Sequence, residues 1–330
     1  MRIVIDAMGG DRAPEDILEG VRLFRKEDEK TELVLVGQQD RLRDAAASLN
    51  CELVHAPTVV GMHESPSAVV KSKRDSSIAV AIQLVKEKRG DIVISMGNSG
   101  AATAFAFFVL GRLPGVSRPC ICTLMPTSKD QCLLADVGAT VDCKPQHLLE
   151  WAVLGTVYIR DVMRRENPRV GLLSIGEEKT KGNELIFAAG PMLASSGLNY
   201  IGHVEGVDIT NGKADVVVCD GFVGNVVLKF GEGMVELFFT MLRSYLSEEK
   251  KVSNSNSGLV NEFIRQCDYT THGVAPLLGV NGHVMIGHGR SQPGAIASAI
   301  RTARETARHA NMIDSMREEL ERVLSVVAIG

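Results

Sequence analysis

Short runs of β-branched residues recur along this chain, and most end in a turn of glycine or aspartate that opens into a helical pattern. Ile3-Val4-Ile5 leads to Asp6 and the turn Gly9-Gly10-Asp11, before Pro14 and an apolar face of Ile17, Leu18, Val21 and Phe24. Residues 91–95 lead to Gly97-Asn98-Ser99-Gly100 and an apolar helix. Residues 170–175 lead to Gly176-Glu177-Glu178 and then to Lys181-Gly182-Asn183-Glu184. Repeated alternation of strand, turn and helix predicts parallel strands with covering helices, because a parallel pair needs a long crossover and a helix supplies it. Ligands of such sheets bind beyond the carboxyl ends of the strands, where these turns lie. The expected fold class is α/β, with a largely parallel sheet and helices on both faces.

The chain has 330 residues, enough for one large α/β domain or two smaller ones with a sizeable core. No internal repeat, low-complexity tail or clean linker divides it, so a single two-lobed unit over 1–330 is expected. Two stretches break the alternation as hairpins. One pairs residues 118–125 with 131–137, and the other pairs 277–280 with 283–286 around Asn281-Gly282, a tight-turn dipeptide. Residues 62–77, with Pro66 and several serines, are expected as a loop that gathers Lys71, Lys73 and Arg74. Residues 205–209 are expected as a turn carrying two carboxylates, and residues 247–257 as a mobile connection.

The stretch from Ala214 to Leu246 joins the strand Val216-Val217-Val218 to an Asp-Gly turn, then Gly224-Asn225, then a helix expected from Val226. Lys229, Glu232, Glu236 and Arg243 follow at intervals of three, four and seven. That spacing puts them on one helical face and leaves the remainder to Val, Leu, Phe, Met and Tyr. Residues 226–246 would extend about 32 Å, but four charges and two glycines argue against a membrane span. So broad an apolar surface needs cover, from a dimer partner or from partial insertion into a membrane surface. A protruding apolar helical hairpin over 221–267 is expected.

A formal net charge of -4 gives no basic footprint, so nucleic acid is not an expected partner. The apolar run before Asp6 is too short for the core of a secretory signal, and no run of about 18 apolar residues occurs, so a cytoplasmic location is expected. The seven cysteines are scattered without a CxxC pair, which favours reduced thiols in the core. Glu205 and Asp208 lack metal-ligand spacing, and no metal is expected. The dinucleotide fingerprint GxGxxG, the phosphate loop GxxxxGK[ST] and the elbow GxSxG are all absent. The residues alone point to an α/β enzyme handling a phosphate-bearing or phosphate-sized ligand. The N–H groups of Gly97–Gly100 suit an anion, as do simple turns. Lys181 is the leading candidate for a phosphate contact, and the Lys71–Arg74 cluster reads either as a solvated loop or as a docking patch for an anionic partner.

Longer motifs narrow the reading. DAMGGD (6–11), ESPSAV (64–69), GNSGA (97–101), DVGATVDCKP (136–145), IGEEKTKGNE (175–184), VEGVDI (204–209), DGFVGNVVLKFGEG (220–233), PLLGVNG (276–282) and GHGRS (287–291) extend nearly end to end. In them the chain closely resembles the phosphate acyltransferases of bacterial phospholipid synthesis, the PlsX family. That family is similar in fold to phosphate acetyltransferases and to isocitrate and isopropylmalate dehydrogenases. The resemblance implies transfer of a long-chain fatty acyl group from acyl carrier protein to inorganic phosphate, giving acyl phosphate without a cofactor. Carried over by position, it implies a catalytic pair, Lys181 and Asn225, with Asp6, Gly9, Gly10, Asn98, Ser99, Gly100 and Asn183 around the phosphate. It also implies a homodimer, and an acidic carrier protein that would dock on Lys71, Lys73 and Arg74. The membrane surface would be met peripherally through Val226 to Leu246. Thr140, His203 and Val274 depart from the family's pattern, so positions 140 and 203 are not expected to act directly. Two rivals on the related fold are a short-chain phosphate acetyltransferase using coenzyme A and a dehydrogenase.

Overall fold

The computed structural model describes residues 1–248, 273–309 and 311–329. Residues 249–267 of the expected hairpin, and most of the connection expected over 247–257, lie outside the described residues.

Eleven strands form one sheet in the order β3-β2-β1-β4-β11-β10-β5-β6-β9-β7-β8. Their ranges are β1 Arg2–Asp6, β2 Glu32–Gly37, β3 Glu52–His55, β4 Ile92–Ser95, β5 Cys120–Pro126, β6 Gln131–Ala135, β7 Val170–Leu173, β8 Tyr200–Val204, β9 Val216–Val218, β10 Val274–Leu278 and β11 His283–Gly287. β3, β2, β1, β4 and β11 are mutually parallel. So are β6, β9, β7 and β8. Between these halves lie the two expected hairpins, so β11–β10, β10–β5 and β5–β6 all pair antiparallel. An odd number of reversals means that the two parallel halves run in opposite senses.

The helices are α1 Glu15–Arg25, α2 Gln39–Ser48, α3 Pro66–Ser72, α4 Ser77–Lys86, α5 Ser99–Val109, α6 Pro145–Asp161, α7 Glu184–Ser195, α8 Gly206–Asn211, α9 Gly221–Glu248, α10 Pro293–Ala307 and α11 Met312–Ile329. The two-residue period of a strand sends alternate side chains to opposite faces. Ile3 and Ile5 accordingly join the core beneath α1 and α10, whereas Val4 joins the core beneath α4 and α5. Leu133 and Ala135 of β6 meet α6, and Cys132 and Leu134 meet the other face. α6 is buried around nearly its whole circumference, with Trp151 and Tyr158 inaccessible, because α7 and α11 pack over its outer side. An all-round apolar sequence produces this kind of buried helix.

Three local expectations need correction. The segment expected as a loop over 62–77 contains α3, which starts at Pro66, where a fixed φ and a missing N–H suit the first helical position. The turn expected at 205–209 is the start of α8, where Glu205 and Asp208 cap each other's backbone. The long helix begins at Gly221 and not at Val226, since Asp220 accepts a hydrogen bond from the Val223 N–H at 2.9 Å and so caps it. Asn225 therefore sits in the first turns of α9 and not in a loop. Among the described residues no helix is long and apolar enough to cross a membrane.

Candidate functional site

The parallel order β6-β9-β7-β8 brings four exit loops to one edge of the sheet. Asp136 leaves β6, Asp220 and Gly221 leave β9, residues 174–183 leave β7, and Glu205 leaves β8. Lys181 and Asn225, far apart in sequence, thus reach neighbouring positions on this edge.

Asp136 organises the centre of it. Its carboxylate is fully buried and accepts from the N–H groups of Ile121 at 2.9 Å, Gly138 at 3.3 Å, Ala139 at 3.1 Å and Thr140 at 2.7 Å. The Thr140 carbonyl in turn accepts from the Gly221 N–H at 2.9 Å, which fixes the start of α9. At position 224 only glycine fits, because a Cβ there would lie 1.8 Å from the Asp136 carbonyl oxygen. Asn225 then stands against Gly138, half-buried, and its amide has no hydrogen-bond partner among the described residues. The polar end of Asn225 is available to a ligand. From sequence, Asp136 is assigned no role. Its signal was an aspartate closing a buried apolar run, followed by Val-Gly-Ala-Thr, whose N–H groups fold back onto it.

On the neighbouring loop Ser174 Oγ donates to the Lys181 carbonyl at 3.2 Å, and the Lys181 N–H donates to the Glu178 carbonyl at 2.9 Å. The aliphatic stem of Lys181 covers Gly176, whose Cβ position lies 2.9 Å from Cγ of the lysine. Its ammonium group is exposed and unpaired among the described residues. Of the nearby acids, Glu177 and Asp208 are engaged by Lys213, at 2.5 Å and 3.3 Å, and Glu178 stands exposed beside the Lys181 stem at Gly176. Asn183 uses its side-chain oxygen to cap α7, accepting from the Ile186 N–H at 3.0 Å. Thr140 acts through its backbone, and His203 Nδ1 lies 3.2 Å from the Glu178 carbonyl. Among the described residues no group of three His, Cys, Asp or Glu side chains is placed to hold a metal.

The other expected site residues gather at the carboxyl ends of β1, β4 and β11, in the oppositely running half. Asp6 is buried, and burial raises its pKa despite hydrogen bonds from Ser77 and Ser95. A Cβ at Gly9 would lie 2.5 Å from Asp6 Oδ2, so the carboxylate and the glycine are packed together with no room for a ligand between them. Asn98 caps α5 through the Ala101 N–H at 3.0 Å, and its Nδ2 donates to the carbonyls of Glu64 at 2.9 Å, Met62 at 3.0 Å and Gly61 at 3.3 Å. Asn98 thereby clasps the segment before α3 onto the glycine turns. The N–H groups of Ser99 and Gly100, in the first turn of α5, have no acceptor among the described residues. They remain suited to an anion. No hydrogen bond or ion pair among the described residues joins this group to Lys181 or Asn225.

The expected docking cluster is divided by the fold. Lys73 binds Glu64 at 2.7 Å and the Val59 carbonyl at 2.8 Å, so it fastens its own segment. Lys71 and Arg74 stay exposed, without ion pairs among the described residues. The cysteines near the site are protonated at neutral pH: burial pushes Cys143 up to about 12 and Cys219 well above its ordinary value. A thiol in that state is a poor nucleophile.

Burial also raises Asp136 to about 6, against the four N–H groups that favour its charged form. A carboxylate pKa raised on folding stabilises the fold below the unfolded value of 3.8 and loses that contribution as pH rises through about 6. The stability of the protein minus that of Asp136→Asn should therefore fall by about 2 kcal/mol between pH 4 and pH 7. Urea denaturation of both proteins across that range measures it, and a flat difference would contradict the assignment.

A family model described as "Fatty acid synthesis protein" matches residues 1–313. A phosphate acyltransferase of Desulforamulus reducens is 44% identical over 328 residues, covering 97% of this chain and 98% of that protein. Among solved structures, a phosphotransacetylase from Streptococcus pyogenes superposes with a TM-score of 0.61 at 16% identity, over 93% of this chain and 94% of its own. A 4-hydroxythreonine-4-phosphate dehydrogenase from Klebsiella pneumoniae does so with a TM-score of 0.53 at 13% identity, over 93% and 98%. At such identities the two structures speak for the fold alone, and they agree with the mixed sheet seen here. The near full-length match in sequence says more: the chain belongs to the phosphate acyltransferase family, and it is an acyltransferase.

Proposed function

We propose that this enzyme transfers a long-chain fatty acyl group from acyl carrier protein to inorganic phosphate, and that the acyl phosphate formed feeds phospholipid synthesis. Acyl transfer to phosphate is the reaction of the family. The observation that carries the finer reading is the convergence of an unpaired lysine and an unpartnered amide, Lys181 and Asn225, on one edge of the sheet. In this reading Lys181 holds phosphate, while the N–H groups of Ser99 and Gly100, at the carboxyl end of β4 in the oppositely running half, stand apart from it. A phosphate oxygen attacks the thioester carbonyl, the new C–O bond forms, and the C–S bond breaks to release the carrier thiol. Asn225 donates its amide N–H to the developing oxyanion. Asn183 sets the backbone beside Lys181 by capping α7, whereas Asp6, Gly9, Gly10 and Asn98 shape the other carboxyl edge. Neither a cofactor nor a metal is required.

Carrier docking in this reading falls to Lys71 and Arg74, since Lys73 is held by Glu64. α9 is 28 residues long, about 42 Å at the usual rise. It exposes Phe230, Met234, Leu237, Phe238, Met241 and Tyr245. A patch of this size calls for a partner surface, and the reading divides it between a second copy of the chain and the membrane surface.

Four measurements test this. With long-chain acyl carrier protein and phosphate, acyl phosphate trapped by hydroxylamine should match released thiol; turnover of acetyl phosphate and coenzyme A alone would favour the short-chain alternative. Asn225→Ala should lower kcat by ~10²–10³, and Lys181→Ala should lose activity most at limiting phosphate, whereas full activity there would overturn its role. The pair Lys71→Glu and Arg74→Glu should cut kcat/KM for the acylated carrier about tenfold at low salt and less at high salt; no effect at any salt would remove the docking assignment. Finally, Phe230→Glu and Met241→Glu, assayed separately for vesicle binding and for molecular mass, should each impair one property, and a variant that impairs neither would place its residue on an uncovered face.

A further inference from the structure

Apart from α9 beyond its first turn, large hydrophobic side chains are exposed at few places. Among the described residues these are Met1, Phe108 and Val326, plus six that fall together: Val141, Ile175, Phe187, Val207, Phe222 and Val223. Single exposed apolar residues are ordinary on any protein, but a concentration of them marks a binding surface. All six lie on the exit loops or first helical turns that follow β6, β7, β8 and β9. Those four strands are neighbours, so the loops cover roughly 15 Å of the edge.

Five of the six also stand within a few residues of the proposed reacting groups or of the backbone that positions them. Ile175 is 79% exposed and precedes Gly176, the residue on which the Lys181 stem rests. Phe187 lies in the first turn of α7, its N–H bonded to the carbonyl of Asn183, two residues beyond Lys181. Val141 and Phe222 flank the Gly221–Thr140 hydrogen bond, and Phe222 and Val223 precede Asn225 by less than one helical turn. None of these positions supports the core, so folding does not require them to be apolar. The row also continues past Val226 onto the exposed apolar face of α9.

We propose that this rim is the acyl subsite: the hydrocarbon chain of the donor lies along Ile175, Phe187 and Val207, with Val141, Phe222 and Val223 closing its other side, while its carbonyl reaches Lys181 and Asn225. The assignment rests on the acyl transfer proposed above and extends it to specificity, since the number of rim contacts a chain makes grows with its length. The continuity with α9 gives the product an apolar path away from the site.

The test compares kcat/KM for hexadecanoyl and octanoyl acyl carrier protein within each of Ile175→Ser and Phe187→Ser. Taking the ratio inside one protein cancels any loss of folded enzyme. In each variant the hexadecanoyl-to-octanoyl ratio should fall by about tenfold. An equal loss at both lengths, or no change in the ratio, overturns the subsite. So does an unchanged ratio accompanied by a lower molecular mass, which would assign the rim to a contact between copies. Wild-type enzyme inert toward every acylated carrier would overturn the donor assignment and the subsite together, whereas an active wild type with insensitive variants overturns the subsite alone.

Discussion

The buried carboxylate of Asp136 is the interaction on which this site depends. Removing a charge from water is costly unless hydrogen bonds replace the lost solvation, and here four backbone N–H groups replace part of it. They come from β5 and from the loop after β6, so one side chain fixes the junction between the antiparallel joint and the second parallel half. The same loop receives the start of α9 through the Thr140 carbonyl. Asn225 inherits its place from this arrangement. A fully buried side chain thus decides where the amide proposed for the reaction sits.

The reversal of strand sense gives the molecule two carboxyl edges of different character. Around Asp6 and Asn98 the polar groups are turned inward: carboxylate to hydroxyls, amide to carbonyls, and lysine to glutamate. Around Lys181 and Asn225, Lys213 pairs with Glu177 and Asp208 while the Lys181 ammonium and the Asn225 amide stay without partners among the described residues. The side chains of one edge are largely occupied with holding it together, and the other leaves the Lys181 ammonium and the Asn225 amide unpaired. Reaction at an edge requires the second condition, because groups already satisfied have little to offer a transition state.

How far the sequence discloses this differs from residue to residue. The strands are legible because buried parallel strands are short apolar runs with a glycine or aspartate at the exit, and the hairpins because their turns carry the required residues. α3 and α8 are missed because helices of seven and six residues have little intrinsic stability. They form against the rest of the fold. Gly224 resembles a turn glycine, yet it lies inside α9 because the backbone of Asp136 passes against it. Asn98 and Lys73 are legible as donors but not as structural ones. Their acceptors are mainly backbone carbonyls, a group every residue carries, so only the fold shows which are within reach.

The double duty of Asn98 has a consequence for the chemical ageing of the protein. Its side-chain oxygen caps α5, and its nitrogen clasps three carbonyls of the segment before α3. Hydrolysis of that one amide to a carboxylate would leave the cap intact, since aspartate caps helices as well as asparagine does. It would also face three carbonyl oxygens with an acceptor in place of their donor. An aged molecule of this kind keeps its helix and loses its clasp, so the damage would register in the hold on residues 61–64 while the helix beneath still looked sound.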